Sequence, residues 1–237
     1  MAGTTRLPSA LFIFAPGAPF HKFAGITMDL RLTNKRVLVT GGNSGLGAAI
    51  SRAFASEGAR VAINYLVNPN ETERLVKAIT DVGGQAVGLM ADISDPKAVE
   101  TMFGEMDIAW GGIDILVNNG GIDGERALGW DADGDAWSKV IDVNLKGTYL
   151  CAHQALKRMV AQRSGVVLNT TSVHEVIAWT GYSAYAANKA GLSMMSKTLA
   201  QEAAPHGVRV LCVAPGAIRT PINQAVWRGV EGYIGIF

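Results

Sequence analysis

The chain has 237 residues, of which 49% are hydrophobic and 17% are charged, and its formal net charge is +1. This length suits one large α/β domain, and the apolar fraction supplies a core and excludes wholesale disorder. A nearly neutral chain lacks the basic field of nucleic-acid binding proteins, and no run reaches the roughly 18 apolar residues of a membrane span. Nucleic acid and membrane are therefore set aside as partners.

The first 27 residues differ from the rest of the chain. Their apolar stretch, "LPSALFIFAPGAPFHKFAGIT", is interrupted by three prolines and makes a poor signal peptide. Met28 then opens a segment that leads directly into a strand. We predict an extension outside the fold at residues 1–27 and one dinucleotide-binding domain at residues 28–237.

From Lys35 onward, short runs of Val, Ile and Leu alternate with longer segments of helical spacing. The predicted strands are 36–40, 60–65, 85–94, 113–121, 165–172 and 208–216; the predicted helices are 44–58, 70–84, 95–112, 135–162 and a segment that begins near residue 182. Strands that are apolar at every position and separated by helices indicate a parallel sheet covered on both faces. We predict an α/β fold with a single doubly wound parallel sheet, Rossmann-like, with ligands at the carboxyl ends of its strands.

The two cysteines, Cys151 and Cys212, lie in apolar segments and show neither metal-like nor redox-like spacing. We predict two buried, reduced thiols, no metal site and a cytoplasmic protein.

The first glycine cluster, "TGGNSGLG" at residues 40–47, joins the first predicted strand to the first helix. Glycine lets the backbone turn sharply and approach a diphosphate, and a helix amino end offers free N–H groups and a positive dipole. Glycines also serve tight turns and helix starts for structure alone. Their position after the first strand of an alternating chain favours dinucleotide binding.

Polar residues also follow later strands. Asp92 follows the third predicted strand, and "NNGG" at residues 118–121 follows the fourth. Each could be only a turn or helix-start residue. Together they outline one edge of a cleft.

Tyr185 and Lys189 are four residues apart on a predicted helix, so their side chains point to the same side. A nearby ammonium would stabilise a phenolate and lower the tyrosine pKa from its usual value of about 10. Ser172, after the fifth strand, could hydrogen-bond the same substrate oxygen. The alternative is that Tyr185 packs and Lys189 reaches solvent, and the pair alone favours that structural interpretation.

The whole set of motifs resembles the short-chain dehydrogenase/reductase family. "TGGNSGLG", "NNGG", Asn144, Ser172, "YAANK" and "PGAIRT" occur in that family's order between about residues 30 and 223. The resemblance implies a catalytic tetrad of Asn144, Ser172, Tyr185 and Lys189. In it Tyr185 would be the general acid/base, Ser172 would orient the substrate oxygen, Lys189 would lower the tyrosine pKa and bind the nicotinamide ribose, and Asn144 would hold a relay water.

The resemblance also implies an NAD or NADP cofactor. The expected contacts, taken in chain order, are Gly41, Ser44, Gly45, Leu46, Gly47, Asn64, Asp92, Ile93, Asn118, Gly120, Tyr185, Lys189, Pro215, Gly216, Ile218 and Thr220. The second strand ends in Asn64, Tyr65 and Leu66, which are neither acidic nor basic. That pattern disfavours an NAD-only enzyme and leaves dual use and NADP preference open.

Within the family, "TSVHEVIAWTGYSAYAANKAGLSMMSKTLAQEAAPHGVRV" and "PGAIRTPIN" resemble the bacterial glucose 1-dehydrogenases. This resemblance implies oxidation of a sugar C1 hydroxyl to a lactone, with Asp123, His174 and Glu175 in the substrate wall. As isolated polar residues, these three could equally be loop or helix-cap groups. A carbonyl reductase of another ketone, such as a 3-oxoacyl-carrier-protein thioester, is one alternative.

The sequence departs from the family pattern near its end. After "PINQAV" it reads "WRGVEGYIGIF", where the family has a substrate-covering segment, a last helix and a last strand. We therefore expect an incomplete sheet edge, an impaired substrate lid and doubtful stability, with a cofactor-binding chain without turnover as a further alternative. Intact relatives are expected to be homodimers or homotetramers. Gly120 replaces the alanine that is usual in the family and is expected to loosen its loop.

Overall fold

The computed structural model describes residues 29–218, together with the backbone of two short strands that precede them. These strands, β1 (Lys22–Phe23) and β2 (Ile26–Thr27), pair with each other in antiparallel orientation and form a sheet of their own. The domain boundary at residue 28 stays a prediction.

The main sheet has six parallel strands. They are β3 (Arg36–Val39), β4 (Arg60–Tyr65), β5 (Gln85–Met90), β6 (Ile115–Asn118), β7 (Gly165–Thr170) and β8 (Val208–Val213). Their order across the sheet is β5-β4-β3-β6-β7-β8, so the chain winds outward from β3 in one direction and then returns to wind in the other. This is the predicted doubly wound sheet, and its switch point lies between β3 and β6.

Helices connect successive strands. They are α1 (Gly45–Ser56), α2 (Pro69–Thr80), α3 (Pro96–Trp110), α4 (Gly134–Ile141), α5 (Thr148–Gln162) and α6 (Ser183–Ala203), with short 3-10 turns at Val173–Glu175 and Ala204–His206. A π-helical turn, Asp142–Gly147, separates α4 from α5. The sequence predicted one continuous helix there, and its apolar spacing gave no sign of the inserted residue.

Two apolar clusters cover opposite faces of the sheet, as its alternating strand residues require. Leu38, Leu116 and Val167 face one cluster, which includes Phe103 and Met159 from α3 and α5. The neighbouring positions Val37, Val39, Val61, Ile63 and Val117 face the other cluster, which α1 and α2 cover. None of the helices between residues 29 and 218 is long and apolar enough to cross a membrane.

The strand β8 is the edge of the sheet in the described part of the chain. Leu211 and Val213 are 46% and 48% exposed, and Cys212 between them is exposed as well. The prediction of two buried thiols is therefore wrong for Cys212 and right for Cys151, which lies in α5 against the sheet. An apolar strand run predicts burial only where both faces of the strand are covered, and no described segment covers this end of β8.

Candidate active site

The glycine loop lies between β3 and α1 and packs against the loop after β6. Gly41 has a φ of 56°, and a Cβ there would lie 2.8 Å from the Cα of Gly120. A Cβ on Gly47 would collide with the carbonyl oxygen of Gly41. Glycine is therefore required at Gly41 because the two loops approach with backbone against backbone, and at Gly47 because the first turn of α1 lies against the Gly41 carbonyl.

Thr40, at the end of β3, fastens the two loops together. Its hydroxyl oxygen accepts from the backbone N–H groups of Asn119 at 3.0 Å and Gly120 at 2.9 Å. The Asn119 side chain returns a hydrogen bond to the carbonyl of Thr40 at 3.2 Å. The carboxyl ends of β3 and β6 thus form one rigid wall of the cleft.

The amino end of α1 opens into this cleft. Gly45 begins the helix, and the preceding Ser44 is exposed, extended and makes no side-chain capping bond. The first N–H groups of α1 are thus not capped by that side chain and retain the positive end of the helix dipole. A glycine-rich loop that leads into an uncapped helix amino end is suited to the diphosphate of a dinucleotide.

Asn64 has a structural use inside the fold. Its amide is 3% exposed; it donates to the carbonyls of Leu89 and Ala91 at 3.3 and 3.0 Å and accepts from the N–H of Gly41 at 3.4 Å. The Asn64 side chain thus connects the glycine loop to the end of β5 and holds the loop in place. Beyond it, the apolar side chains of Leu66 and Val67 are 56% and 63% exposed just after β4.

Two more expected cofactor positions follow β5. The Asp92 carboxylate accepts from the backbone N–H and the hydroxyl of Ser94 at 2.8 and 2.7 Å, which fixes its direction, and Ile93 is 7% exposed. At the end of β6, Asn118 donates to the Asn169 side chain at 2.9 Å, and its own amide oxygen is buried without a hydrogen-bond partner among the described residues.

Asn144 lies inside the π-helical turn. Its side-chain amide accepts from the N–H of Ile122 at 2.8 Å and donates to the carbonyl of Ile122 at 2.6 Å. Its backbone carbonyl accepts from the Thr148 hydroxyl at 2.7 Å. The Asn144 side chain thus connects the π-helical turn to the loop after β6, and its expected role in holding a relay water stays a prediction.

Ser172, Tyr185 and Lys189 converge at the carboxyl end of β7. The Ser172 hydroxyl lies close enough to the Tyr185 side chain to lower the pKa of the phenol. Lys189 is 8% exposed, its ammonium donates to the carbonyl of Thr170 at 2.8 Å, and the ammonium nitrogen lies 5.5 Å from the centre of the Tyr185 ring. The structure thus brings these three side chains together, and the alternative in which Lys189 reaches solvent is wrong.

Burial has the largest effect on the pKa values of Tyr185 and Lys189. It raises the pKa of Tyr185; the Ser172 hydrogen bond opposes that change, and the nearby Asp123 charge adds to it. Burial also lowers the pKa of Lys189 to about 8. On balance the Tyr185 pKa is raised because desolvation of the phenolate outweighs the stabilising contacts, and the expected lowering by Lys189 stays a prediction.

The expected substrate-wall residues lie around Tyr185. Asp123 acts on Tyr185 through its charge and lines a small cleft with Glu125, Asp133 and Trp137. His174 donates its backbone N–H to the Ser172 hydroxyl at 3.2 Å. One carboxylate oxygen of Glu175 is buried without a hydrogen-bond partner among the described residues.

Two aromatic side chains near Tyr185 were missed by sequence reasoning. Trp179 stacks on the His174 ring with centroids 4.4 Å apart and on the Tyr182 ring with centroids 3.9 Å apart. The position of Tyr182, one helical turn before Tyr185, was a usable signal. Trp179 lies in a loop, where no periodicity could have indicated its partners.

The segment after β8 borders the same cleft. Pro215 accepts through its carbonyl from the N–H of Val173 at 3.1 Å, which places Pro215 and Gly216 beside the Ser172 turn. Ile218 is 44% exposed, and Thr220 lies outside the described residues. Within residues 29–218, no group of three His, Cys, Asp or Glu side chains could hold a metal ion.

A doubly wound sheet with a bare glycine loop at its switch point and a Ser-Tyr-Lys group beside it defines a dinucleotide-dependent α/β enzyme. The family model for short chain dehydrogenases matches residues 35–231, and the chain belongs to this family. It is an NAD(P)-dependent oxidoreductase that acts on CH–OH groups, and its substrate is a small molecule.

Several curated relatives share much of the chain. It is 43% identical to 3beta-hydroxysteroid dehydrogenase 1 of Eggerthella lenta over 81% of this chain and 74% of that protein. It is 37% identical to glucose 1-dehydrogenase 2 of Bacillus subtilis over 81% and 75%, and 36% identical to a 3-oxoacyl-[acyl-carrier-protein] reductase of Staphylococcus epidermidis over 81% and 79%. The crystal structure of levodione reductase superposes with a TM-score of 0.78 at 33% identity, over 81% of this chain and 76% of that one. These names span different substrates, so family membership defines the reaction type and not the substrate.

Proposed function

We propose that Asn144, Ser172, Tyr185 and Lys189 are the catalytic residues for hydride transfer between a nicotinamide and an alcohol or carbonyl. The observation that carries this proposal is the convergence of Ser172, Tyr185 and Lys189 at the end of β7, where the Lys189 ammonium lies 5.5 Å from the centre of the Tyr185 ring and the Ser172 hydroxyl is near the phenol. A raised pKa keeps Tyr185 protonated at neutral pH, so the phenol is present in the form that gives a proton to a developing alkoxide.

In the oxidation direction, Tyr185 must first lose its proton to solvent, and the substrate hydroxyl then gives its proton to the phenolate oxygen while a hydride leaves the carbinol carbon. The nicotinamide, when bound, supplies the acceptor for that hydride. Ser172 donates a hydrogen bond to the substrate oxygen and holds it next to Tyr185. In the reverse direction, Tyr185 returns the proton to the carbonyl oxygen as the hydride arrives.

The cofactor would be held along the carboxyl ends of the strands. Gly41 and the amino end of α1, Ser44 to Gly47, would take the diphosphate, since the helix begins there without a side-chain cap. Asp92 and Ile93 would border the adenine, Asn118 and Gly120 the middle of the cofactor, and Tyr185 and Lys189 the nicotinamide ribose. Pro215, Gly216, Ile218 and Thr220 complete the expected set, and Asn64 supports it from below.

We propose that both NAD and NADP are used. The exposed residues just after β4, Leu66 and Val67, are apolar and offer neither a carboxylate for ribose hydroxyls nor a cation for a 2'-phosphate. Neither cofactor therefore gains or loses a charge interaction at this point.

For the substrate we propose a hydroxyl-rich ring such as glucose, oxidised at C1 to a lactone. Support comes from the carboxylates of Asp123, Glu125 and Asp133 in the cleft beside Tyr185, because carboxylates are strong acceptors for sugar hydroxyls. The 37% identical glucose 1-dehydrogenase 2 is consistent with it. A 3β-hydroxysteroid is the second candidate, favoured by the 43% identical relative, and a 3-oxoacyl thioester is the third.

The test uses the purified full-length chain. Tryptophan fluorescence titrations with NADPH and NADH measure cofactor binding, and absorbance assays follow turnover of glucose, a 3β-hydroxysteroid and a 3-oxoacyl thioester. We expect turnover of at least one substrate and a loss of about 10²- to 10⁴-fold in kcat for Tyr185→Phe. Unchanged turnover in Tyr185→Phe would overturn the catalytic assignment, and cofactor binding without any turnover would favour the catalytically impaired alternative.

We also propose that the chain forms homo-oligomers through α5 and α6. A groove of about 650 Å³ between these helices has an apolar strip of Leu156, Val160, Met195 and Leu199 flanked by polar residues that include Lys157 and Glu202, a combination that suits a second copy of the chain. Light scattering after size exclusion tests this, with a monomer at micromolar concentration as the contrary result. The cytoplasmic location stays a prediction.

A further inference from the structure

Trp179 lies in the loop between the 3-10 turn after β7 and the start of α6, and its indole is covered on both faces. The His174 ring stacks on it at 4.4 Å with planes 10° apart, and the Tyr182 ring stacks at 3.9 Å with planes 19° apart. Two rings cannot share one indole face at such short distances without overlapping, so His174 and Tyr182 lie on opposite faces. This three-ring stack, His174-Trp179-Tyr182, has no free indole face for a substrate ring.

The stack meets the Tyr185 side chain at nearly right angles. The ring centroids of Trp179 and Tyr185 are 6.0 Å apart with planes at 81°, and those of His174 and Tyr185 are 6.3 Å apart with planes at 72°. Perpendicular contacts at these distances are favourable for aromatic pairs. The Tyr185 ring therefore contacts two members of the stack, Trp179 and His174, in an edge-to-face arrangement.

The stack also ties Ser172 to the start of α6. His174 donates its backbone N–H to the Ser172 hydroxyl at 3.2 Å, and its ring nitrogen Nδ1 lies 3.0 Å from the carbonyl of Ile177. At the other end, the N–H of Tyr182 donates to the carbonyl of Trp179 at 3.1 Å. Trp179 is thus the middle of the chain of contacts that joins the Ser172 turn to the helix that carries Tyr185.

We propose that Trp179 is a positioning residue that fixes the position of the Ser172 hydroxyl relative to the Tyr185 hydroxyl. This inference rests on the proposed role of Tyr185, and it assigns to Trp179 a role that its position in a loop would not suggest. The competing idea, a platform for stacking a sugar or steroid ring, conflicts with the two covered faces of the indole. If Trp179 acted as such a platform, its loss would raise KM; if it positions Tyr185 and Ser172, its loss would lower kcat.

The experiment compares Trp179→Ala and Trp179→Phe with Trp130→Ala, since Trp130 is 83% exposed and serves as the matched control. In the assay for the substrate that the chain turns over, we expect Trp179→Ala to lower kcat about 10- to 100-fold, with unchanged affinity for NADPH. Trp179→Phe should retain more activity, because a phenyl ring can still stack between His174 and Tyr182. Trp130→Ala should leave kcat unchanged. A raised KM with unchanged kcat in Trp179→Ala would overturn the proposal.

A second readout needs no substrate. The ultraviolet titration of tyrosinate, measured as the difference between each protein and its Tyr185→Phe counterpart, reports the pKa of Tyr185. The groups that face this side chain are Asp123, Ser172, His174 and Lys189. Loss of the indole admits water beside the ring, so the Tyr185 pKa should fall in Trp179→Ala and stay the same in Trp130→Ala. An unchanged pKa in Trp179→Ala would overturn the positioning role, whereas turnover that survives Tyr185→Phe would overturn the proposed function and leave this titration valid.

Discussion

The ammonium nitrogen of Lys189 lies 5.5 Å from the centre of the Tyr185 ring. The lysine side chain is 8% exposed and has no carboxylate among its described hydrogen-bond or ion-pair contacts. A buried charge with only a carbonyl partner is costly, and its pKa accordingly falls from 10.5 to about 8. The fold therefore tolerates an unfavourable residue at this position, which is expected of a group retained for chemistry.

This gives a prediction about stability and pH. The folded pKa of Lys189 lies below the unfolded one, so the cost is present in full below about pH 8 and is relieved as pH rises toward about 10.5. The full pKa shift corresponds to a cost of about 3 kcal/mol for burying the ammonium, which Lys189→Met removes. The same substitution leaves the Thr170 carbonyl without its donor, which costs about 1 kcal/mol. Lys189→Met should therefore raise the free energy of unfolding by about 1–2 kcal/mol at pH 7, while it abolishes turnover.

Urea denaturation at about pH 7 and about pH 10 measures this difference. The advantage of Lys189→Met over the original chain should shrink at the higher pH. Lys197 lies on the same helix and is exposed, so Lys197→Met is the control and should change stability little at either pH. A Lys189→Met chain that is less stable at pH 7 would contradict the argument.

The second prediction concerns Gly47 and Gly120. Gly47 lies in α1, where alanine would ordinarily be favoured by up to about 1 kcal/mol, but its Cβ would collide with the Gly41 carbonyl. We expect Gly47→Ala to destabilise the chain by several kcal/mol and to abolish NADPH binding. At Gly120 the nearest atoms to a Cβ are 3.2–3.3 Å away and include the flexible end of Ile93, so Gly120→Ala should change stability by less than about 1 kcal/mol.

Gly104 supplies the control for both substitutions. It lies in α3 with no atom within 4 Å of the point that an alanine Cβ would occupy, so Gly104→Ala should stabilise the chain by about 0.5–1 kcal/mol. Chemical denaturation ranks the three variants, and NADPH titration separates loop damage from general loss of stability. Normal NADPH affinity in Gly47→Ala would show that the loop does not have to approach Gly41 so closely.

The third prediction concerns cofactor choice at Leu66, the exposed residue at the end of β4. Leu66→Arg adds a cation where a 2'-phosphate would lie, and Leu66→Asp adds an acceptor for the ribose hydroxyls that repels the phosphate. We expect the ratio of kcat/KM for NADP over NAD to rise about tenfold in the first and to fall about tenfold in the second. Shifts in the same direction in both variants would show that Leu66 does not lie beside the ribose.

The sequence predicted the sheet well because each strand is encoded locally. The run Arg60–Tyr65 is largely apolar, and its predicted bounds match the structure because Gly58 precedes it and polar residues follow. Local sequence patterns also predicted that the glycine loop and the cleft residues directly follow strands. Ser172, Tyr185 and Lys189 were found through a family pattern, and the fold then brought them together.

The remaining site features depend on contacts between distant residues. The π-helical turn positions Asn144 to bond Ile122, which lies 22 residues earlier, and nothing in the helix pattern of residues 135–162 indicates it. Burial, and hence the raised pKa of Tyr185, likewise arises from the assembled cleft. Trp179 acquires its partners only when the loop between β7 and α6 closes. Periodicity describes a segment and its faces, and it carries no information about such pairings.

The last prediction concerns the two thiols. Cys151 is fully buried, and burial raises its pKa to about 12, while Cys212 is exposed on the edge strand β8. A thiol reagent that requires thiolate should therefore modify one cysteine in the native chain and both after denaturation. Burial also raises the pKa of Cys212, so its reaction should be slow near neutral pH and should accelerate as pH rises. Cys212→Ser should remove the native reaction and Cys151→Ser should leave it unchanged. Two reactive thiols in the native chain, or none, would contradict this pattern of exposure. Cys212 is within reach of the reagent because the end of β8 is uncovered, whereas Cys151 is buried between α5 and the sheet.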